Sequence, residues 1–338
     1  MSGKTDRKWG VIYNGDALTL DDMLHFAALA DQAGADSLWT AEGWRDGFVP
    51  LTAIAAVAKR ARVGTGIVQM ARPPVLTTLS ALSMAEYTQG RFVLGVGTGP
   101  RLWNNNWHGF DVPHPVPQIR EYIECIRTLL KATSSQPGRF EGKYYKVQEY
   151  VPFLSPPISD VPVFLAAVNR RMIELAGSHA DGVILGPLNS VAYLKDTVHP
   201  NLKKGLGKRS GGGCELCLPR ICAVNTDRAR ARDLARHPIA FYSVLPYYDV
   251  VLSPLGFEEQ ARAIREAFGR LDFPAMVNAV TDDMVAALAF AGTEDDVRDQ
   301  AKAFADLADT IILYSPYFGV ELEETRANHA NMLKVFAA

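Results

Sequence analysis

The stretch Arg91-Phe92-Val93-Leu94-Gly95-Val96-Gly97-Thr98-Gly99 has the composition of a short buried strand whose end carries almost no side chains. Its apolar residues are mostly β-branched or aromatic, and its alternating glycines leave room for a flat group or another backbone. A helix-like stretch, Thr77 to Gln89, precedes it, and a Trp- and Pro-rich connection, residues 100–117, follows. The pattern predicts a strand that opens into a long aromatic loop, the position at which α/β proteins place their chemistry.

Seven further stretches have a strand-like composition, and helix-like stretches separate them. They are Trp9 to Tyr13, Ser37 to Ala41, Arg62 to Met70, Val161 to Ala167, Asp181 to Leu185, Leu216 to Val224 and Thr310 to Tyr314. In the first hundred residues the order is β-α-β-α-β-α-β, which favours a parallel sheet. Eight β-α units predict an α/β fold, a closed (β/α)8 TIM barrel that forms a single domain over residues 1–338.

Two connections are longer than a single helix requires, which predicts insertions after strands 4 and 7. Within residues 138–157, Gly142-Lys143 lies between apolar runs and indicates a β-hairpin. The second insertion, between Val224 and Thr310, is rich in aromatic residues. The competing open, doubly wound sheet predicts a dinucleotide-binding fingerprint, but the position that its third glycine would take is Pro100.

Composition excludes several classes of function. Lys plus Arg number 35 against 37 Asp plus Glu, so the net charge of -2 provides no footprint for nucleic acid. The first residues, Met1 to Lys8, are polar, and no apolar run approaches the roughly 20 residues of a membrane span, so we expect a cytoplasmic protein without membrane contact. Cys214 and Cys217 have the spacing of half a zinc site, but the second half is missing, and no metal is predicted.

In a barrel of this kind, the functional groups follow the carboxyl ends of the strands. Those positions are poor in nucleophiles and metal ligands and rich in glycine, alanine and tryptophan. Trp44, Trp103 and Trp107 fall in predicted loops at this end, which favours an opening shaped for a planar ring and an apolar substrate. The alternative is that these tryptophans only pack the loops onto the barrel.

A second candidate site follows the fifth predicted strand. Ala166, Ala167 and Val168 bring small residues to the strand end, and Arg170 and Arg171 then begin a helix. Helix-start amides beside an arginine suit an anion such as a cofactor phosphate. The alternative, a solvated surface charge, applies to at least one of the two arginines.

Four segments stand out by their order and spacing: Asp36-Ser37-Leu38-Trp39-Thr40-Ala41-Glu42, Arg62-Val63-Gly64-Thr65-Gly66-Ile67-Val68, Gly90 to Gly99, and Glu174-Leu175-Ala176-Gly177-Ser178-His179-Ala180-Asp181-Gly182-Val183. They resemble the bacterial-luciferase-like superfamily, and most closely its deazaflavin (coenzyme F420) oxidoreductases of the methylene-tetrahydromethanopterin reductase type. The resemblance implies a TIM-type barrel with an isoalloxazine-like ring across its mouth.

The resemblance also implies roles for individual residues. It implies a non-prolyl cis peptide at Gly66-Ile67 or the next bond, below the ring. The implied cofactor-binding residues are Gly66, Ile67, Val68, Gly97, Thr98 and Gly99 at the ring and its ribityl chain, and Ala166, Ala167, Val168 and Arg170 at the phosphate. The glycines have an alternative role in close strand packing.

Two positions depart from the family pattern. Many members place a histidine after the acid at the end of strand two, where this chain has Gly43, and sugar-phosphate dehydrogenases of the family have a glutamate where it has Pro100. We therefore expect neither the histidine-based mechanism nor glucose 6-phosphate as substrate. Glu42 becomes the first candidate acid or base, followed by His108, Tyr13 and Asp46, and a purely structural Glu42 is the alternative.

The resulting hypothesis is a coenzyme F420-dependent oxidoreductase that moves a hydride between the deazaflavin ring and a small carbonyl, imine or activated alkene. A flavin mononucleotide (FMN) monooxygenase of the same superfamily and a non-catalytic flavin-binding barrel are the alternatives. The family habit implies a homodimer through helices two and three, where Ala53 to Ala61 and the Leu79, Leu82, Ser83 face permit close packing.

Overall fold

A computed structural model describes residues 8–14, 18–153 and 156–337. The polar N-terminal stretch lies outside the described residues except for Lys8, as do two residues of the first insertion. Among the residues described, no helix is both long enough and apolar enough to cross a membrane.

Eight parallel strands close into a barrel, which confirms the predicted fold. Around the barrel the order is β1, β2, β3, β5, β8, β9, β10 and β12, and β12 pairs with β1 again. The described strands are β1 Lys8–Tyr13, β2 Ser37–Thr40, β3 Arg62–Thr65, β4 Val68–Gln69, β5 Phe92–Gly97, β6 Gly138–Glu141, β7 Lys146–Tyr150, β8 Val163–Ala167, β9 Gly182–Leu185, β10 Glu215–Val224, β11 Ala289–Gly292 and β12 Thr310–Tyr314.

Helices cover the outside of the barrel and form most of the second insertion. They are α1 Leu20–Gln32, α2 Phe48–Val57, α3 Pro74–Tyr87, α4 Arg101–His108, α5 Pro115–Leu130, α6 Arg170–His179, α7 Val191–Tyr193, α8 His199–Leu206, α9 Arg228–Ser243, α10 Asp249–Leu252, α11 Glu258–Gly269, α12 Phe273–Asn278, α13 Asp282–Leu288, α14 Glu294–Lys302 and α15 Leu322–Phe336. A π-helical turn, Leu194–Val198, joins α7 to α8.

The insertions lie where they were predicted, but their elements differ in two respects. The hairpin around Gly142-Lys143 is present as β6 and β7, and three backbone amides of residues 143–145 donate to the buried Glu121 carboxylate at 2.6 to 3.0 Å. Residues 101–108 form helix α4 rather than a loop. The unpredicted β11 pairs with the carboxyl half of β10 inside the second insertion.

Large side chains from opposite strands fill the barrel interior. Trp39 of β2 and Phe164 of β8 are buried with ring centroids 6.1 Å apart. Glycine faces both rings because a Cβ at Gly64 would lie 2.4 Å from Trp39, and one at Gly182 would lie 2.6 Å from Phe164. At this level the interior is therefore a packed core.

Alternation along the strands decides which residues face the interior. Ile12 pairs with Trp39 and lies 3.2 Å from the position of a Cβ at Gly66, so it points inward. Tyr13, the next residue, points outward and stacks on His329 of α15 at 5.6 Å. On β12, Tyr314 pairs with Ile12 and therefore points inward.

Candidate functional site

The third strand is interrupted at the carboxyl end of the barrel, which is called the mouth below. The peptide bond Gly66-Ile67 is cis, as predicted, and it separates β3 from β4. The Thr65 hydroxyl replaces the missing backbone partner because it accepts from the Gly95 amide at 2.9 Å and donates to the Gly95 carbonyl at 2.8 Å. A Cβ at Gly95 would lie 1.9 Å from the Thr65 carbonyl oxygen, so this position requires glycine.

The interruption places the half-buried Ile67 side chain over the end of β5. A Cβ at Gly97 would lie 3.0 Å from Ile67 and 3.1 Å from the Ala166 methyl group. Gly97, Ile67 and Ala166 therefore form a shallow floor with little side-chain relief, and this group of three is called the floor below. A flat apolar surface of this kind suits one face of a planar ring.

The loop after β5 is held from two sides. The Asn104 side-chain amide of α4 donates to the Thr98 carbonyl at 2.7 Å, and Asn104 is fully buried. Gly99 has φ +70, and a Cβ there would lie 2.2 Å from Gln69 Oε1, so both conformation and space favour glycine. The half-buried Thr98 and Gly99 thus have a defined position beside the floor.

Glu42 lies at the centre of a polar network in the mouth. Its backbone amide donates to the Ile67 carbonyl at 2.9 Å, and its carboxylate accepts from the Gln69 amide at 2.7 Å and from Arg72 at 3.2 Å. Burial raises the pKa of Glu42, and the Gln69 amide and Arg72 lower it by less. A carboxyl group with a raised pKa beside an open floor is suited to exchange a proton.

Arg72 connects Glu42 to the loop after β2. Its guanidinium is 3.2 Å from Glu42 and 3.1 Å from Asp46 and lies over the Phe48 ring at 5.1 Å. Asp46 also accepts from the first two amides of α2, both at 2.8 Å. Asp46 therefore caps the start of α2.

Aromatic rings form a wall on one side of the mouth. Trp103 and Trp107 stack at 4.5 Å, Trp44 meets Trp103 edge-on at 5.0 Å, and Phe241 of α9 continues the row 6.3 Å from Trp44. Trp44 lies in the predicted loop, but Trp103 and Trp107 lie on α4, where their spacing of four residues permits the stacking. Phe318 extends this wall 4.8 Å beyond Phe241.

The candidate anion site lies at the start of α6. Ala166 points toward Gly97, whereas Ala167 is buried on the opposite face of β8. The Val168 carbonyl accepts from the Tyr193 hydroxyl at 2.7 Å, which positions the strand end. Arg170 is exposed at the first turn of α6, and within the part of the chain that the structure describes Asn169 forms no side-chain cap, so the amides of Arg170 and Arg171 lack that partner.

Two of the candidate acids, Tyr13 and His108, form no hydrogen bond with the Glu42 network among the described residues. Tyr13 is fully buried between the barrel and α15, and its hydroxyl has no hydrogen-bond partner among the described residues. Its place on β1 turns it away from the interior, which the sequence could not reveal because both faces of that strand are apolar. His108 is an exposed residue at the carboxyl end of α4.

Four residues that complete the mouth were not among the predicted site residues. Arg72, Gln69 and Phe241 are described above, and Tyr314 shares a 2.8 Å contact between hydroxyl groups with Tyr242 of α9. Two features of the sequence indicated these residues. They are the charge of Arg72 just after the third strand and the aromatic run at residues 241–248.

Comparison with known proteins shows which family this chain is similar to. The sequence profile of the luciferase-like monooxygenase family matches residues 7–310. The 5,10-methylenetetrahydromethanopterin reductase of Methanolobus tindarius is 28% identical over 89% of this chain and 91% of that protein. The F420-dependent glucose-6-phosphate dehydrogenase of Kineococcus radiotolerans is 28% identical over 62% of this chain and 66% of that protein.

A solved structure supports the same assignment at the level of the fold. The coenzyme F420-dependent tetrahydromethanopterin reductase of Methanopyrus kandleri superposes with a TM-score of 0.79 at 21% identity, covering 98% of this chain and 99% of that chain. Because the family profile covers most of the sequence and the barrel has the corresponding architecture, the chain belongs to the luciferase-like monooxygenase family.

Proposed function

We propose that this chain is a coenzyme F420-dependent oxidoreductase that transfers a hydride between the deazaflavin ring and a small organic substrate with a carbonyl, imine or activated alkene group. The observation that carries the proposal is the floor of Gly97, Ile67 and Ala166, which a Cβ at Gly97 would crowd. The F420-dependent dehydrogenase relative supports this cofactor. When bound, F420 supplies the hydride chemistry.

The residues of the mouth would hold the cofactor in three groups. Gly66, Ile67 and Val68 would support the ring from below, and Gly97, Thr98 and Gly99 would lie beside it. The strand end Ala166 to Val168 and Arg170 would hold the phosphate with the amides of α6. These positions are half-buried or buried, apart from the exposed Arg170.

Glu42 would hold the proton that accompanies hydride transfer. Burial keeps its pKa above the usual carboxyl range, while Arg72 and the Gln69 amide fix its orientation. The wall of Trp44, Trp103 and Trp107 would exclude water and contact the apolar part of the substrate. Glucose 6-phosphate is not proposed, because Pro100 stands where the sugar-phosphate dehydrogenases have a glutamate.

Titration of the purified protein with F420 and separately with FMN, followed by ring fluorescence, tests the cofactor. We expect saturable F420 binding and weaker FMN binding, and tight binding of FMN alone would assign the chain to the FMN monooxygenases instead. Reduced F420 with a panel of ketones, imines and enones then tests catalysis. F420 binding without oxidation by any substrate of the panel would favour the non-catalytic barrel.

The outer face of α2 and α3 is the surface that we propose for a homodimer. Four large apolar side chains are exposed there, with relative exposures of 67% for Val49, 46% for Leu76 and Leu79, and 52% for Tyr87. Leu79→Glu is expected to convert a dimer to a monomer in light scattering after gel filtration. Leu271→Glu, at an exposed leucine elsewhere, is the matched control.

A further inference from the structure

A cavity of about 350 Å³ lies outside the barrel wall, apart from the mouth. Its lining includes Ser190, Arg220, Leu255, Ala287, Phe290 and Phe304. Ile221 of β10 pairs with the inward-facing Tyr314, so Arg220, the preceding residue, points outward into the layer that contains β11 and α13. A ligand in this cavity would therefore not occupy the substrate or cofactor space of the mouth.

Arg220 is a buried cation with an unused donor. Its side chain is only 2% exposed. Nη1 donates to the carbonyl and side-chain oxygens of Asn189, and Nη2 donates to the carbonyls of Ala287 at 3.1 Å and Ala289 at 3.2 Å. Nε has no partner among the described residues. An unpaired donor on a buried guanidinium is costly, and a ligand in the cavity could satisfy it once a neighbouring lining side chain moves aside, because Nε itself has almost no exposed surface.

No carboxylate of the described residues pairs with the charge of Arg220. Its guanidinium lies 5.0 Å from the Phe290 ring centre and 4.6 Å from that of Phe304. Burial lowers the pKa of Arg220 to about 9, and no carboxylate among the described residues opposes this effect. Carbonyl dipoles and ring faces offset part of the cost of a buried charge, and an anion would offset more.

We propose that this cavity binds a small monocarboxylate with a short aliphatic tail. The carboxylate would accept from Arg220 Nε and from the Ser190 hydroxyl, whose oxygen already accepts from the Tyr193 amide at 3.1 Å and whose proton is free to donate. The tail would contact Leu255, Ala287 and Phe304. A phosphate fits less well, because one cation and mostly apolar walls leave several of its oxygens unsatisfied.

Isothermal titration calorimetry of the full-length protein with hexanoate tests the proposal, and hexanol is the uncharged probe of matched length. We expect saturable hexanoate binding that is at least about tenfold tighter than hexanol binding, the ratio expected for one hydrogen bond to a charged group. Arg220→Met is expected to weaken hexanoate binding by about the same factor. Arg298→Met, which removes an exposed cation from α14, is expected to leave it unchanged.

Arg220→Met also removes the bonds to Ala287 and Ala289, so a second variant keeps the test decisive. Ala303→Leu fills the exposed rim of the cavity while Arg220 keeps its partners. It is expected to abolish hexanoate binding with an unchanged circular dichroism spectrum. Absence of hexanoate binding to the wild type, equal binding of hexanol, or wild-type affinity in Ala303→Leu would each overturn the proposal, whether or not the protein binds F420.

Discussion

Replacing Gly97 with alanine tests whether the glycine floor serves a bound ring or only strand packing. The new methyl group would lie 3.0 Å from two atoms of Ile67 and 3.1 Å from the Ala166 methyl group. Ordinary contact begins at 3.4 Å, so these neighbours must retreat by 0.3 to 0.4 Å. Ile67 is half-buried at the mouth, so we expect its side chain to shift into the space where the ring is proposed to lie.

The expected cost is divided between stability and binding. Overpacking of this size costs about 1 to 3 kcal/mol of folding free energy. Displacement of Ile67 into the ring position is expected to weaken F420 binding at least tenfold, or about 1.4 kcal/mol. Gly97→Val, with two more methyl groups, is expected to abolish binding.

Fluorescence titration with F420 and urea unfolding of the same preparations measure the two quantities. Gly207→Ala is the matched control, because a Cβ at Gly207 would lie 3.6 Å from its nearest neighbours at a helix end away from the mouth. It is expected to bind F420 as the wild type does. Wild-type affinity in folded Gly97→Ala would refute the reasoning and leave strand packing as the role of this glycine.

Three further substitutions test the surroundings of the mouth and the scaffold. Burial raises the pKa of Glu42 by more than the attraction of Arg72 and the hydrogen bonds to the carboxylate lower it. The folded protein therefore binds the proton of the Glu42 carboxyl more tightly than the unfolded chain does, and the stability of the fold falls as the pH rises through the raised pKa. In Glu42→Gln the difference in Tm between pH 5 and pH 8 should shrink, and an unchanged difference would contradict the assignment. Trp103→Ala removes two ring contacts and should cost about 1 to 3 kcal/mol in urea unfolding; a variant as stable as the wild type would show that the wall contributes nothing. Burial raises the pKa of Asp31, but the three amides of residues 59–61 that donate to its carboxylate lower the pKa by a larger amount, so the net shift is downward. The ionised carboxylate therefore stabilises the fold at neutral pH, and this stabilisation is lost as the pH falls through the lowered pKa. Asp31→Ala should lose about 3 kcal/mol at pH 7 and less at pH 3, as measured by urea unfolding; equal losses at both would contradict this.

Local patterns were sufficient for most of the fold. The alternation of apolar runs with helical periods predicted the eight barrel strands, and Gly142-Lys143 predicted the hairpin. Helix α4 was missed because Pro100 and the polar run at residues 104–106 are typical of a loop. Within this helix the buried Asn104 donates to the Thr98 carbonyl six residues earlier, a contact that the polar run does not reveal. Strand β11 was missed because four residues without alternation form a strand only when β10 supplies the partner.

The candidate site divides in the same way. The glycines at residues 95–99 and the acid after strand two were visible in the sequence, because close approach and buried charge each require particular residue types. The tertiary structure decided three other features. It turns Tyr13 away from the mouth, links Glu42 to Arg72, and buries the cation of Arg220 beside a cavity. A chain pattern specifies which residues are apolar, flexible or charged, whereas the face on which each side chain emerges, and what meets it there, depends on pairing between segments that are far apart in the sequence.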